Sequence, residues 1–264
     1  MNLPLLCDQV CAVAKQAGDF IRSESRKFAP SDVELKGRNN LVSYVDKKSE
    51  EMIVSALDKL HPGSGFITEE DTVDDTHKEV TWIIDPLDGT TNFVHKLPCY
   101  CISIGMTING KLSLGVIYEL NLDEMFYGYL GGKAMLNGKS IRVSSTKTVA
   151  DSLIATGFPY TDYSNMEPYI KIFKHLMLNS RGLRRMGSAA VDLAYVACGR
   201  FDSFYEYGLN AWDVAAGAFL VELAGGKNSD FSAGENFLFG KEIITSNGFT
   251  HAEMLEAIRN IIGK

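Results

Sequence analysis

Residues 82–93 read WIIDPLDGTTNF, an apolar strand that runs directly into two carboxylates, a glycine and two threonines. The strand end fixes Asp85, and Pro86 restricts its own φ and the backbone of the residue before it. Magnesium prefers oxygen ligands in near-octahedral geometry, so carboxylates on a rigid backbone suit it. Asp85 and Asp88 could therefore converge on one or two ions, and the Leu87 carbonyl oxygen is free to join them.

The residues that follow Asp88 predict an anion site. Gly89, Thr90 and Thr91 stand where a turn or helix start would direct backbone N–H groups at a phosphate. A D-x-x-D-G motif after a strand also forms Asx-rich turns with a helix cap, and for these residues alone that alternative stays open.

Two further carboxylate groups lie at the ends of predicted elements. Glu69-Glu70-Asp71 follows a predicted strand at 65–68, and Asp213 stands where an apolar helix begins. Taken singly, the acidic triplet fits a solvated turn and Asp213 fits a helix N-cap. Several such groups are not expected by chance in one chain. Because the five histidines show no zinc-like pairing, the oxygen-only inventory indicates magnesium rather than zinc.

The first half of the chain predicts two helices and then mostly antiparallel sheet. Apolar residues recur at helical spacing over 3–21. A polar loop at 34–40 leads to a second helix over about 46–60, which ends at His61-Pro62-Gly63. A meander follows, because strand-like segments are separated by turn formers such as Asn109-Gly110.

The second half has a different pattern of predicted elements, since strand-like and helical segments alternate from about Thr148 onward. Such alternation indicates a sheet covered by helices. We therefore predict two packed halves with no flexible linker, an N-terminal α+β half at 1–147 and a C-terminal α/β half at 148–264.

Composition narrows the class of protein. The 264 residues carry a formal charge of -7, and the pI is near 5.3. We expect no nucleic-acid partner, because such affinity comes from basic residues meeting phosphates. We also expect no membrane span, since no apolar run reaches about 18 residues, and no signal peptide, since the start lacks basic residues. Five cysteines without a CxxC motif indicate free thiols in a reducing cytoplasm.

Taken together, these motifs resemble those of the inositol monophosphatase family, lithium-sensitive and magnesium-dependent sugar phosphatases related to fructose-1,6-bisphosphatase. The resemblance covers essentially the whole chain. It implies an α/β (α+β) fold, a layered α-β-α-β-α sandwich of the sugar phosphatase type. The motifs that carry it, in this order, are Glu69-Glu70, residues 85–93, Gly187-Ser188-Ala189-Ala190, and Glu206 ahead of Trp212-Asp213.

The resemblance implies two to three Mg²⁺ ions. Carried over by position, Glu69, Asp85 and the Leu87 carbonyl would hold one ion. Asp85, Asp88 and Asp213 would hold a second, and a weaker third ion would sit near Glu69 through water.

The resemblance also implies catalytic and substrate-binding residues. Lys36 and Asp46 match family positions that flank the attacking water, where Thr90 and Glu69 complete the catalytic set. Glu206 would accept hydrogen bonds from ring hydroxyls. The implied substrate-binding set is Asp88, Gly89, Thr90, Gly187, Ser188, Ala189, Glu206 and Asp213.

The expected reaction is hydrolysis of inositol monophosphate to myo-inositol and phosphate by in-line attack of metal-activated water, without a phospho-enzyme. Thr91-Asn92-Phe93 favours the inositol branch, because the related nucleotide bisphosphate phosphatases tend to carry Lys-Glu-Phe there. Asn210, which lies before Trp212, does not indicate which sugar phosphate the protein prefers.

Two kinds of alternative remain at this point. The enzymatic ones are fructose-1,6-bisphosphatase or 3'(2'),5'-bisphosphate nucleotidase activity. The other is a non-catalytic regulatory binding protein on the same scaffold. By family analogy we expect a cytoplasmic homodimer acting on a small sugar or polyol phosphate.

Overall fold

A computed structural model describes residues 1–27, 33–37, 40–159 and 162–263, with the backbone alone for 33–37 and 40–42. Within these ranges the chain forms seven α-helices and fourteen β-strands. The helices are α1 (Leu3–Ser25), α2 (Tyr44–Leu60), α3 (Thr90–Val94), α4 (Met166–Asn179), α5 (Ala189–Ala197), α6 (Ala211–Leu223) and α7 (His251–Ile262).

The strands form a hairpin and two larger sheets. They are β1 (Val33–Gly37), β2 (Asn40–Ser43), β3 (Gly65–Thr68), β4 (Val80–Asp88), β5 (Cys101–Ile108), β6 (Lys111–Glu119), β7 (Glu124–Tyr129), β8 (Met135–Leu136), β9 (Lys139–Ser140), β10 (Leu153–Thr156), β11 (Gly182–Arg184), β12 (Ser203–Tyr207), β13 (Lys227–Ser229) and β14 (Glu242–Ser246).

The larger sheet has seven strands in the order β3-β4-β5-β6-β7-β8-β9, and only the β3–β4 pair is parallel. Consecutive antiparallel strands need only short turns. Asn109 and Gly110 join β5 to β6 with positive φ values of 50° and 75°, as a type I′ hairpin requires. The predicted meander is therefore confirmed.

The smaller sheet has five strands in the order β11-β10-β12-β14-β13. Its central strands β10 and β12 run parallel, while β14 is antiparallel to β12. Helices α5 and α6 connect these strands and pack between the two sheets. Ala, Val and Leu side chains dominate this middle layer, which explains why α5 and α6 are apolar around most of their circumference.

The outer layers complete the sandwich. Helices α1 and α2 pack on the free face of the seven-stranded sheet, and α4 and α7 pack on the free face of the five-stranded sheet. The order of layers is thus α-β-α-β-α, as predicted. Among the described residues, none of the helices combines the length and apolarity needed to cross a membrane.

Two glycines let α6 lie close to the seven-stranded sheet. A Cβ on Gly105 would lie 2.8 Å from the Cβ of Ala215, and one on Gly115 would lie 2.7 Å from the carbonyl oxygen of Ala216. Both glycines sit on adjacent strands and pair with each other. The small residues on both sides therefore fix the depth at which α6, and Asp213 within it, sits in the molecule.

The structure departs from the sequence prediction in the segment before α2. The prediction of a polar loop at 34–40 is wrong for the described residues of this segment, because β1 and β2 pair there as antiparallel strands. The alternation of apolar and polar residues in Val33-Glu34-Leu35 is a strand pattern that the surrounding polar residues obscured. The division of the chain into 1–147 and 148–264 stays a prediction.

A buried histidine ties α7 to the five-stranded sheet. His251 is only 2% exposed, and its two ring nitrogens lie 3.0 Å from the hydroxyls of Ser229 and Ser246. Burial, aided by the charge of Lys227, lowers the pKa of His251 to about 4. The folded protein therefore holds this imidazole neutral at pH values where a histidine in the unfolded chain takes up a proton.

We expect His251→Gln to reduce the loss of stability that acid causes. In the wild type the contribution of neutral His251 is present above pH 6.5 and is lost as the pH falls from 6.5 towards 4. Each pH unit across this window costs about 1.4 kcal/mol. Urea unfolding at pH 7 and pH 5 measures the change. His175→Gln, on the exposed face of α4, is the control and should keep the wild-type pH dependence.

Candidate active site

An irregularity in β4 places Asp85 and Asp88 on one face of the sheet. Residues three apart in a regular strand point to opposite faces. Here Asp85 pairs with Ser103 and Asp88 pairs with Cys101, so the register shifts by one residue between them. Because Ser103 and Cys101 are two apart and share a face, the bulge brings both carboxylates to the same side. The sequence pattern ended this strand before Asp85, and the bulge is the feature it missed.

Asp213 reaches the same place from α6. One carboxylate oxygen from each of Asp85, Asp88 and Asp213 lies within 4.8 Å of the others. Asp213 is not the N-cap but the third residue of α6, in a capping box with Asn210, whose backbone N–H donates to Asp213 Oδ2 at 2.6 Å. The cap thus restrains the side chain while it joins the cluster.

Asp88 also links the two halves of the chain. Its Oδ2 accepts hydrogen bonds from Ser188 Oγ at 2.6 Å and from the backbone N–H of Ala190 at 2.7 Å. Both donors lie at the N-terminus of α5, where unpaired N–H groups and the helix dipole favour a negative charge. Asn92 adds a second link, since its Nδ2 donates to the carbonyls of Cys99 at 2.7 Å and Met186 at 2.9 Å.

Glu69 enters the cluster from the end of β3. Its carboxyl group is hydrogen-bonded to that of Asp85. The turn behind it is held by Glu50, a fully buried residue of α2 that accepts from the backbone N–H of Glu70 at 2.8 Å and of Thr72 at 2.9 Å. Sequence analysis missed Glu50, because nothing in an amphipathic helix pattern marks a buried carboxylate that supports a distant turn.

Burial raises the pKa of every carboxyl in this cluster, and repulsion from neighbouring carboxyls adds to the rise for Glu69, Asp85 and Asp213. Burial is the larger cause throughout. The pKa of Asp88 is raised to about 6 and that of Asp213 to about 7, and those of Glu69 and Asp85 lie well above the usual range. Like charges held this close favour the neutral acid unless a cation compensates them.

This arrangement fits a divalent metal ion. All the donors are oxygen atoms, they converge from three separate elements, and their ionisation is unfavourable without added positive charge. The Leu87 carbonyl, which lines the same cleft, lies 3.0 Å from Thr90 Oγ1.

Thr90 lies between the carboxylate cluster and Asp46. Its hydroxyl donates to Asp46 Oδ1 at 3.0 Å, and Gly89 before it adopts a φ of 96° that begins α3. Asp46 is fully buried and forms the capping box of α2, with Oδ2 accepting from the N–H and the hydroxyl of Ser43 at 2.9 and 2.6 Å. Burial raises the pKa of Asp46, and these hydrogen bonds oppose that rise.

The cluster forms the floor of a cleft of about 930 Å³ that is open to solvent. Glu206, at the end of β12, stands in its wall, and burial raises the pKa of this carboxyl to about 8. The other predicted residues that line the cleft are Gly89, Thr90, Gly187, Ser188 and Ala189. The side chain of Lys36 lies outside the described residues, so its placement stays a prediction.

Three lining residues had no place in the predicted site. Arg185 was not among the predicted site residues, yet it lines the cleft, with its guanidinium 5.9 Å from the centre of the Phe158 ring. Asp192 lines the cleft as a buried carboxylate, and its Oδ1 has no hydrogen-bond partner among the described residues. Gly157 follows β10. Only the position of Asp192 one turn into α5 could have signalled its location.

Comparison with known proteins agrees with the fold. Residues 5–263 match the inositol monophosphatase family. The chain is 38% identical to an inositol-1-monophosphatase of Mesorhizobium japonicum over 255 residues, 96% of each chain. It is 39% identical to the Nus factor SuhB of Escherichia coli K12 over 248 residues, 94% of this chain and 93% of that one.

A solved structure shows the same architecture. The inositol monophosphatase from Anabaena superimposes with a TM-score of 0.87 at 36% identity, covering 98% of this chain and 97% of that one. The protein belongs to the inositol monophosphatase family, a family of metal-dependent phosphatases. The resemblance inferred from the motifs is therefore confirmed.

We expect a divalent cation to stabilise the protein through the carboxylate cluster. When a chelator removes metal ions, the raised pKa values of the carboxylate cluster should make stability fall as the pH rises from about 4 through 7. The reason is that the ionising carboxyls repel one another in the folded state. Magnesium at about 100 times its Kd should raise the Tm by about 5 to 10 °C at pH 8.

Asp213→Asn tests the origin of this effect, since the amide oxygen can keep the capping bond to Asn210. This variant should lose less stability between pH 5 and pH 8 in chelator, and it should gain less from magnesium. Scanning calorimetry measures both. Asp58→Asn, on the exposed face of α2, is the control. Equal magnesium shifts in the two variants would contradict the assignment.

Proposed function

We propose that this protein is a magnesium-dependent phosphoric monoester hydrolase that converts inositol monophosphate to myo-inositol and phosphate. The observation that carries the proposal is the convergence of Asp85, Asp88 and Asp213 within 4.8 Å at the floor of a cleft. The acidic floor suits a cation–phosphate pair, and the wall that contains Glu206 suits a polyol.

The carboxylates would hold two to three Mg²⁺ ions. Glu69, Asp85 and the Leu87 carbonyl form one ligand set, and Asp85, Asp88 and Asp213 form the second. A third, weaker ion would be held near Glu69 through water. When bound, magnesium neutralises phosphate charge, lowers the pKa of a water molecule and stabilises the departing alkoxide.

Thr90 and Asp46 would orient the attacking water. Because the Thr90 hydroxyl donates towards the Asp46 carboxylate at 3.0 Å, its oxygen lone pairs are left to accept a proton from water. Asp46 is fixed in turn by its two bonds from Ser43. Proton movement would thus run from water to Thr90 and on to Asp46, with Glu69 beside them and with Lys36 as a proposed neighbour.

The phosphate and the ring would bind to different parts of the cleft. Gly89 and Thr90 begin α3, where the first N–H groups have no intrahelical partner and can donate to phosphate oxygens. On the ring side, Gly187, Ser188 and Ala189 line the cleft and Glu206 offers a carboxylate to ring hydroxyls. A carboxylate accepts hydrogen bonds from several hydroxyl donors, which suits a polyol.

The ring side of the cleft also bears on the enzymatic alternatives. Glu206 and Asp192 are both carboxyls, so a second phosphate on the substrate would approach negative or acidic groups there. This arrangement favours a monophosphate over fructose 1,6-bisphosphate or a 3'(2'),5'-bisphosphate nucleotide. The charge of Arg185 is already close to Glu206 and Asp192.

A regulatory binding role is the remaining alternative, and we consider it because one relative is named as a Nus factor. The presence of Glu69, Asp85, Asp88, Thr90 and Asp213 favours the enzyme, because a decayed site would lose at least one of them. We further propose a cytoplasmic homodimer without a nucleic-acid partner. These three expectations rest on family analogy, the free cysteines and the charge of -7.

A substrate panel tests the proposal. Phosphate release from inositol monophosphate should require magnesium and exceed release from fructose 1,6-bisphosphate and from a 3',5'-bisphosphate nucleotide in kcat/KM. Preference for either bisphosphate would overturn the substrate assignment. No turnover of any phosphate ester at saturating magnesium would instead support the regulatory alternative.

Removing the Thr90 hydroxyl should reduce catalysis without unfolding the protein. We expect Thr90→Val to lower kcat by about 100-fold or more, because a proton-transfer group typically contributes that much. Thr90→Ser retains the hydroxyl and should stay within about tenfold of the wild type. Steady-state kinetics with inositol monophosphate measure both variants. Equal kcat values for Val and Ser would refute the role of the hydroxyl.

A further inference from the structure

The register of the five-stranded sheet sets Gly157 beside Glu206. Strands β10 and β12 pair in parallel, with Ala155 opposite Phe204 and Thr156 opposite Tyr205. One step further along both strands brings Gly157 level with Glu206, at the edge where the strands end and the cleft begins. Crevices at the carboxyl ends of parallel strands are the usual place for ligands in such sheets.

Gly157 provides the space in which the Glu206 carboxylate lies. A Cβ built on Gly157 would overlap both carboxylate oxygens of Glu206. The φ of Gly157 is not in the left-handed region, so backbone conformation does not require glycine here. Glycine is required here because the Glu206 carboxylate approaches so closely, and any side chain at 157 would displace that carboxylate.

Tyr169 holds Gly157 from the opposite side of the sheet. Side chains alternate along β12, so Tyr205 and Tyr207 face the outer layer while Phe204 and Glu206 face inward. Tyr169 of α4 packs against Tyr205 and Tyr207 with ring centres 5.4 and 4.8 Å away. It is only 1% exposed, so it contributes no surface to the cleft.

The hydroxyl of Tyr169 is bound at the point where β10 ends. It donates to the Gly157 carbonyl at 3.0 Å and lies 2.7 Å from Thr156 Oγ1 and 3.2 Å from the Tyr205 carbonyl. Thr156 Oγ1 in turn donates to the Tyr205 carbonyl at 2.9 Å. These bonds connect the end of β10 to Tyr205, the residue of β12 that precedes Glu206.

We infer that Tyr169 is a positioning residue for substrate specificity, which holds the Gly157 backbone against the Glu206 carboxylate and so sets how the site recognises ring hydroxyls. This inference rests on the proposed function of Glu206 and extends it to the outer helix α4. Tyr169 does not contact the carboxylate cluster and has no surface in the cleft, so its effect should fall on ring recognition and not on phosphate chemistry.

Tyr205 supplies a matched control. It is buried in the same aromatic cluster, and its hydroxyl has no hydrogen-bond partner within the described part of the chain. Tyr169→Phe and Tyr205→Phe therefore each delete one buried hydroxyl from adjoining rings, but only the first removes a bond to the Gly157 carbonyl. A general loss of stability would affect both.

The test compares a polyol substrate with one that lacks a polyol. KM and kcat are measured with inositol monophosphate, or with whichever polyol phosphate the wild type hydrolyses fastest, and with p-nitrophenyl phosphate. Tyr169→Phe should raise KM for the polyol substrate by about three- to tenfold, as loss of one buried hydrogen bond predicts. Its kinetics with p-nitrophenyl phosphate should stay within about twofold, and Tyr205→Phe should match the wild type on both.

Hydrogen–deuterium exchange gives a readout that does not depend on turnover. The backbone amides from 154 to 158 should exchange faster in Tyr169→Phe than in the wild type, and their exchange should be unchanged in Tyr205→Phe. Equal effects of the two variants, or an equal loss on both substrates, would overturn the inference. Failure of the proposed function is distinguishable, because it appears in the wild type as absence of polyol phosphatase activity while the exchange difference persists.

Discussion

Repulsion among buried carboxylates is the constraint around which this protein is organised. Glu69, Asp85, Asp88 and Asp213 are gathered where burial raises all four pKa values and mutual charge adds to the rise for Glu69, Asp85 and Asp213. Such a group is costly to bury, so the surrounding structure must hold it in place. It does so with the capping box of α6, which holds Asp213, with the bulge in β4, which places Asp85 and Asp88, and with the N-terminus of α5, which donates to Asp88.

The same devices join the two sheets into one unit. Asp88 belongs to the seven-stranded sheet and accepts bonds from the start of α5, while α6 lies flat on that sheet across Gly105 and Gly115. The middle layer is therefore both the hydrophobic core and the support of the cleft. A metal ion bound there would stabilise the contact between halves as well as the site itself.

Under the proposed function, ring recognition would depend on a different part of the molecule from phosphate chemistry. The floor of the cleft is built on β3, β4 and α6, whereas its ring side is built on the end of β10, on β12 and on the start of α5. If Tyr169 sets the position of Glu206, specificity can change through the outer helix α4 without disturbing the carboxylates.

The amino-acid sequence alone determined the layered fold class, most helices, the hairpin at Asn109-Gly110 and the acidic motifs, because these depend on local periodicity, turn chemistry and motif order. It could not reveal the bulge that turns Asp85 and Asp88 to one face. Nor could it reveal the hydrogen bonds by which Glu50 holds the turn at Glu70 and Asn92 binds the Met186 carbonyl. It also gave no sign that Arg185 lines the cleft, and it predicted a loop where β1 and β2 pair. Only tertiary structure decides these features, since each is a contact between residues far apart in the chain, and no local pattern encodes its distance.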